Sequence, residues 1–150
     1  RGAYLEKERD RALDLSYEDP IQPNKQASDD DFNKALEYCV QHLDQIALCC
    51  GSHNEYSNLY LTKLMENHGI ARDDQRIYFA QLYGMSDNIS FNLSNAGYNV
   101  AKYLPYGPVE KVIPYLIRRA EENTAIAGQT SREYSLIKKE IARRAAQKNS

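Results

Sequence analysis

Two rhythms of apolar and polar residues alternate along this chain. Leu5 to Leu15 mixes leucine with charge at helical spacing and then stops. Tyr17 to Ser28 holds two prolines, no glycine and many polar side chains, the composition of a surface loop. Ser28, with Asp31 three residues on, predicts a helix start in the manner of a capping box, with Asp in place of the usual Glu or Gln. Phe32, Ala35, Leu36, Cys39, Val40 and Leu43 then recur at i, i+3, i+4 and i+7, which predicts one buried helical face.

The period changes at Ile46-Ala47-Leu48-Cys49-Cys50, a short apolar run closed by Gly51. It is too short for a helix and predicts a strand buried on both faces. A helix from about residue 55 to 68 follows, with Leu61, Leu64 and Met65 on one side and Gly69 as its stop. Arg76 to Leu82 predicts a second strand, about Ser86 to Ala96 a short helix, and Val100 to Leu104 a third strand. Pro105-Tyr106-Gly107-Pro108 breaks the chain, and Pro108 suits the first position of a helix running to about Asn123. A last helix spans about Ser131 to Arg144. Strands alternating with helices imply βαβ units and a parallel sheet. Three strands fit an open sheet or part of a barrel.

Composition narrows the function classes. Of the 150 residues, 42% are hydrophobic and 27% charged, values of a globular chain. The net charge of -2 argues against a dedicated nucleic-acid binder. Twelve tyrosines and no tryptophan favour pockets and interfaces. No apolar run approaches the roughly 20 residues of a membrane span, and no signal peptide is recognisable. Cys39, Cys49 and Cys50 make a poor disulfide framework, which points to a reducing compartment. The triplets beginning at Asn88 and Asn92 match the glycosylation pattern by chance on this reading. His42, His53 and His68 share no ligand spacing, so no metal site is expected. Neither glycine-rich phosphate loop occurs.

Two places carry candidate chemistry. On the helix after Pro108, Val109, Val112, Ile113, Leu116, Ile117 and Ala120 form an apolar stripe. Tyr115, Arg118, Arg119 and Glu122 form a second stripe pointing nearly the other way. The arginines are either a solvated face with weak i, i+4 pairs or a clamp for a carboxylate or phosphate. Ser52-His53-Asn54 stands just beyond a strand end, where α/β proteins keep their ligands. There His53 is either a cofactor contact or acid–base group or part of a helix N-cap cluster with Ser52 and Asn54. The tail carries Arg132, Lys138, Lys139, Arg143, Arg144 and Lys148 against Glu133 and Glu140. It reads as a solvated terminal helix, with a membrane surface or an acidic partner as the alternative.

Taken together, Arg-Gly-Ala-Tyr at 1 to 4, Ser-His-Asn at 52 to 54, Gln-Leu-Tyr-Gly-Met at 81 to 85, Lys-Tyr-Leu-Pro-Tyr-Gly at 102 to 107 and Tyr-Leu-Ile-Arg-Arg-Ala-Glu-Glu-Asn at 115 to 123 resemble the proline dehydrogenase family. The motifs fall in the family's order over nearly the whole chain. The resemblance implies an α/β chain that is the C-terminal half of a (β/α)8 TIM-like barrel, with a C-terminal helix added. Residues 1–150 would form the C-terminal part of one barrel domain, incomplete at its N-terminus.

It also implies oxidation of L-proline to 1-pyrroline-5-carboxylate, with FAD taking the hydride and a quinone receiving the electrons. The family's carboxylate clamp falls on Arg118 and Arg119, which turns the reading of that helix toward the clamp. Tyr103 and Leu82 fall on positions lining the proline ring, and Tyr4 on one covering the substrate. Flavin contacts fall on Arg1, Gly2, Ala3, Ser52 and His53. Glu122 matches an acid beside the arginines. Position 1 is lysine in some relatives, and Ser52 is often threonine. A lysine on the substrate, an acid near the flavin and an arginine at its reactive nitrogen would all precede Arg1. The expected compartment is the cytoplasmic face of the membrane, with peripheral contact, in a bacterium, or the mitochondrion in a eukaryote. Two other readings stand beside this one. One is a catalytically incomplete half-barrel that self-associates through its open edge without flavin. The other is an anion-binding (β/α)8 enzyme without flavin.

Overall fold

The structure is a computed structural model that describes residues 5–125 and 127–148, with side chains described outside 120–133 and Lys148. Nine elements follow in order: α1 (Leu5–Leu15), α2 (Lys25–Gln41), β1 (Leu48–Gly51), α3 (Glu55–Asn67), β2 (Ile77–Leu82), α4 (Asp87–Asn95), β3 (Val100–Tyr103), α5 (Val109–Ala125) and α6 (Ala127–Lys148). The expected alternation of helix and strand is therefore the observed one. Contacts divide the chain into two compact units, one closing at Leu104 and the other opening at Pro105.

In the first unit the strands form a parallel sheet in the order β1-β2-β3. Leu48 to Gly51 lie beside Ile77 to Ala80, and Phe79 to Leu82 beside Val100 to Tyr103. Each strand is followed by a helix, because a parallel partner can be reached only by a crossover. The core sits on one side of the sheet. Cys50, Ile77 and Phe79 meet Leu36, Val40 and Leu43 at and after α2, Leu61, Leu64 and Met65 of α3, and Ile89 and Leu93 of α4. Phe79 is fully buried and meets Tyr98 edge-on, with ring centroids 5.5 Å apart. Such side chains each contribute about 1.5–3 kcal/mol of burial.

The opposite side is open. Cys49, Ala101 and Tyr103 are exposed and Tyr78 is 41% exposed. This corrects the expectation that the first strand is buried on both faces. Strand residues alternate sides, and among the described residues of this unit the helices pack on the side holding Leu48 and Cys50.

The second helix also starts earlier than its pattern predicts. Asn24, in extended backbone, accepts the Ala27 N–H on Oδ1 at 2.9 Å and caps α2. Ser28 is already inside that helix, and its hydroxyl donates back to the Asn24 carbonyl at 3.3 Å. Asparagine is among the best N-caps, and Lys25, Gln26 and Ala27 tolerate helix well. The start therefore moves one turn toward Pro23. Gly69, at φ +64, ends α3 as expected.

In the second unit, Pro108 stands just before α5, and its carbonyl accepts the N–H groups of Lys111 and Val112. The helix passes through Pro114, a position the stripe pattern does not flag. Val109, Ile113, Leu116 and Ile117 of the apolar stripe are all exposed. In α6, Glu140 receives Arg143 at 2.7 Å and Arg144 at 2.9 Å, so part of the tail's positive charge is matched within its own helix.

Candidate ligand site at the strand ends

Ser52 and His53 leave β1 where the parallel ladder runs out. Ser52 N–H still donates to the Ala80 carbonyl, at 3.2 Å. The next rung of a regular ladder would take the Leu82 N–H to the Ser52 carbonyl. Here that carbonyl instead accepts two side-chain amides, Asn58 Nδ2 at 3.0 Å and Gln81 Nε2 at 3.2 Å. The Leu82 N–H turns to the imidazole of His53, with Nε2 at 3.5 Å. His53 thereby substitutes for a strand carbonyl and ties the ends of β1 and β2 together.

Its other ring nitrogen, Nδ1, lies 2.8 Å from Ser86 Oγ. Ser86 is buried and precedes α4 in left-handed backbone, at φ 51 and ψ 43. For a residue other than glycine that conformation costs about 1–2 kcal/mol. Serine in this place ordinarily caps its helix through the side chain, yet this hydroxyl caps nothing. It faces His53.

Beneath these residues lies a buried amide network. Gln81 Nε2 also donates to Asn58 Oδ1 at 3.3 Å, and Ser90 Oγ donates to Gln81 Oε1 at 2.9 Å. Asn58 Nδ2 donates in addition to the Asn54 carbonyl at 2.8 Å. Asn58, Gln81 and Ser90 are all at most 3% exposed. Asn54 caps α3, accepting from Tyr56 at 3.0 Å and Ser57 at 3.4 Å, and its own N–H donates to Ser52 Oγ at 3.1 Å. The cap reading of Ser52-His53-Asn54 thus holds for Asn54, while His53 serves the strand ends.

Four expected site residues come together in this unit. Leu82 and Tyr103 are register partners on neighbouring strands, and Tyr103 is 53% exposed on the open side of the sheet. Ser52 and His53 stand at the same strand ends. Arg118 and Arg119 lie on α5 in the second unit, both half-buried, with the Arg119 guanidinium 5.2 Å from the Tyr115 ring centroid. Arg1, Gly2, Ala3 and Tyr4, and the side chain of Glu122, lie outside the described residues.

Residue patterns did not single out Asn58, Gln81, Ser86 or Ser90 as partners. One signal was present: Gln81 is an amide inside the otherwise apolar strand Ile77–Leu82. A cleft of about 470 Å³ between α4 and β3, lined by Asp87, Phe91 and Lys102 among others, contains none of the expected site residues. Lys102 closes against the Met85 carbonyl at 2.6 Å and Asp87 at 2.8 Å there. Among the described residues no three His, Cys, Asp or Glu side chains gather as metal ligands, and no helix is long and apolar enough to cross a membrane.

A parallel sheet with polar groups gathered at its carboxyl ends is the layout of an α/β ligand-binding chain, shared by open sheets and βα barrels. The proline dehydrogenase family profile matches residues 1–132. Human mitochondrial proline dehydrogenase 1 is 46% identical over 147 residues, covering 96% of this chain and 24% of that protein. Human hydroxyproline dehydrogenase is 43% identical over 148 residues, 96% of this chain and 32% of that protein. Proline utilization A from Bdellovibrio bacteriovorus, solved after inactivation by N-propargylglycine, superposes with a TM-score of 0.73 at 28% identity. That match covers 82% of this chain and 13% of the other. The chain belongs to the proline dehydrogenase family, and its parallel strands alternating with helices fit part of a βα barrel. It spans about a quarter of the length of human proline dehydrogenase 1.

The strand ends carry a hydroxyl and an imidazole able to hydrogen-bond a ligand's polar edge. Ser52 Oγ accepts from Asn54 and keeps a hydroxyl hydrogen that can donate. Leu82 and Tyr103 stand as register partners at the ends of the neighbouring strands.

Proposed function

We propose that the protein containing this chain oxidises L-proline to 1-pyrroline-5-carboxylate with bound FAD, and that this chain supplies the C-terminal part of one barrel domain. The observation that carries the reading is the pairing of Leu82 with Tyr103 beside Ser52 and His53 at the strand ends. When bound, FAD would supply the two-electron acceptor, with a quinone as the proposed final acceptor of the electrons. Ser52 and His53, with Arg1, Gly2 and Ala3, would hold the flavin. Arg118 and Arg119 would grip the proline carboxylate, with Glu122 beside them. Paired guanidinium forks match a planar anion in shape as well as charge. Leu82 and Tyr103 would line the proline ring, and Tyr4 would cover it. Their apolar surface excludes water and holds the ring carbon toward the acceptor. Human proline dehydrogenase 1 is a mitochondrial protein. The same compartment is proposed here if the source is eukaryotic, and the inner face of the bacterial membrane, with peripheral contact, if it is not.

The experiment is steady-state kinetics of the full-length protein. Arg118→Ala and Arg119→Ala each raise the proline KM by roughly thirtyfold or more, since removing one partner of a desolvated ion pair costs about 2 kcal/mol at least. Near-parental KM in both variants overturns the clamp.

A second reading concerns this chain alone. Within the sheet, β1 and β3 each pair on one side only, and exposed strand edges recruit other strands. Purified by itself, the chain would self-associate and bind no flavin. Flavin absorbance in a monomeric sample of the isolated chain refutes this.

A further inference from the structure

We propose that Ser86 is the positioning residue of the strand-end site: it fixes the tautomer and orientation of His53. The flavin part of the proposal rests on the reading of His53 as a flavin contact, but the tautomer does not. Neutral imidazole carries one N–H, and which nitrogen bears it is set by its partners. At Nε2 the partner is the Leu82 backbone N–H, at 3.5 Å, a group that can only donate. A proton on Nε2 would oppose that hydrogen, so Nε2 is the acceptor. The proton therefore sits on Nδ1 and is donated to Ser86 Oγ, 2.8 Å away.

Three further observations favour an arrangement built around this bond. Ser86 heads α4 but gives its helix no side-chain cap. It holds left-handed backbone, which serine seldom adopts. Its carbonyl anchors α4 from behind, accepting the N–H groups of Ile89 and Ser90 at 3.0 and 3.1 Å and the Ser90 hydroxyl at 3.3 Å. Ser90 continues to Gln81, whose amide reaches the Ser52 carbonyl. The one Ser90 hydroxyl hydrogen is shared between Gln81 Oε1 and, more weakly, the Ser86 carbonyl, so a linked set of polar groups runs from the His53 ring through Ser86 and back to the residue beside it. The ring is held by both nitrogens, and its edge is fixed before any ligand arrives. Ser86 does this from 33 residues away in sequence, and nothing in the spacing of the two residues announces it.

The test uses the full-length protein labelled with 15N-histidine, read at an alkaline pH where the ring shifts no longer change with pH, so that the ring is neutral. In the flavin-free parent, the His53 Nδ1 carries the proton and Nε2 shows the shift of an unprotonated nitrogen. Ser86→Ala lowers the ratio of the Nδ1–H to the Nε2–H form by about fivefold, equivalent to about 1 kcal/mol, a typical net hydrogen bond. Ser86→Gly gives the same shift while relieving the left-handed backbone, so a folded variant is available even if alanine strains the turn. In the loaded protein, both variants release FAD on dilution several times faster than the parent. A parent with its proton on Nε2, or an unchanged ratio in both variants, overturns the positioning role. A shifted ratio with FAD release equal to the parent's overturns its link to the flavin. A parent that takes up no flavin at all refutes the proposed function instead, and the tautomer measurement still decides the role of Ser86.

Discussion

Gln81→Met is the sharpest perturbation of the strand-end site that leaves its shape nearly intact. The two side chains are similar in length, and Gln81 is 2% exposed, so the change removes an amide without opening a large cavity. Three hydrogen bonds go with it: to the Ser52 carbonyl, to Asn58 Oδ1 and from Ser90 Oγ. Their consequences differ. The Ser52 carbonyl keeps Asn58 Nδ2, and Ser90 Oγ keeps the Ser86 carbonyl at 3.3 Å. Asn58 Oδ1 loses its Gln81 donor, and no other hydrogen bond to that atom is present in the network. A buried acceptor left unsatisfied costs about 1–3 kcal/mol, and two weakened bonds add about 1 kcal/mol. Hydrophobic gain from the thioether offsets part of this, so the expected loss is about 2–3 kcal/mol.

Urea unfolding of the full-length protein, comparing midpoints at constant m, measures it. Asn58→Leu should be costly as well, because it strips donors from the Ser52 and Asn54 carbonyls. The double variant should depart from the sum by about 1 kcal/mol or more, since it removes the orphaned oxygen and also strips the Ser52 carbonyl of both amide donors. A Gln81→Met loss below about 0.5 kcal/mol, or strict additivity, would show that the network does not hold the strand ends.

Two further outcomes follow from ionisable groups away from the site. Asp74, hydrogen-bonded through its side chain and beside the Arg76 guanidinium, has its carboxyl lowered from 3.8 to about 2. A carboxyl depressed on folding stabilises above its unfolded value, and that stability is lost as pH falls through the folded one. Stability should therefore drop between about pH 4 and pH 2, and Asp74→Asn should flatten that limb of a pH–stability curve; an unchanged acid limb refutes the pairing. Burial, with Cys49 adjacent, pushes the Cys50 thiol up to about 12. Cys50 should resist alkylation at neutral pH until the protein unfolds, as peptide mapping would show, and labelling of the native protein contradicts its burial.

Much of this fold is legible in the residue pattern because the pattern is driven by burial on one side. Leu36, Val40 and Leu43 near α2, and Leu61, Leu64 and Met65 on α3, announce themselves by helical spacing and all join the core. Boundaries are less visible. The start of α2 was decided between Asn24 and Ser28 by local competition for the first free N–H groups, and both residues are good caps. Coverage of the sheet was not legible at all. An apolar strand reads the same whether one face or both are covered, and Cys49 and Tyr103 sit on the open one. Adjacent arginines were visible at 118 and 119. The support for His53 was not, since its partners stand 29 and 33 residues away and only the crossover brings them near.

The network also explains why the strand ends are built from amides and hydroxyls rather than charges. A buried ion would need a matched partner, and its desolvation costs several kcal/mol. Neutral amides at Asn58 and Gln81 satisfy the Ser52 carbonyl at far smaller cost, and add no net charge at the adjacent site. The serines tune direction: Ser90 fixes which end of the Gln81 amide faces Ser52, because a hydroxyl donating to Oε1 leaves Nε2 to point the other way. With Gln81 oriented, the Ser52 carbonyl is occupied, and the Leu82 N–H has only the His53 ring to take. The placement of His53 is thus a consequence of where the neighbouring carbonyl is spent. Any substitution that frees the Ser52 carbonyl should let the Leu82 N–H revert to it, and release the ring.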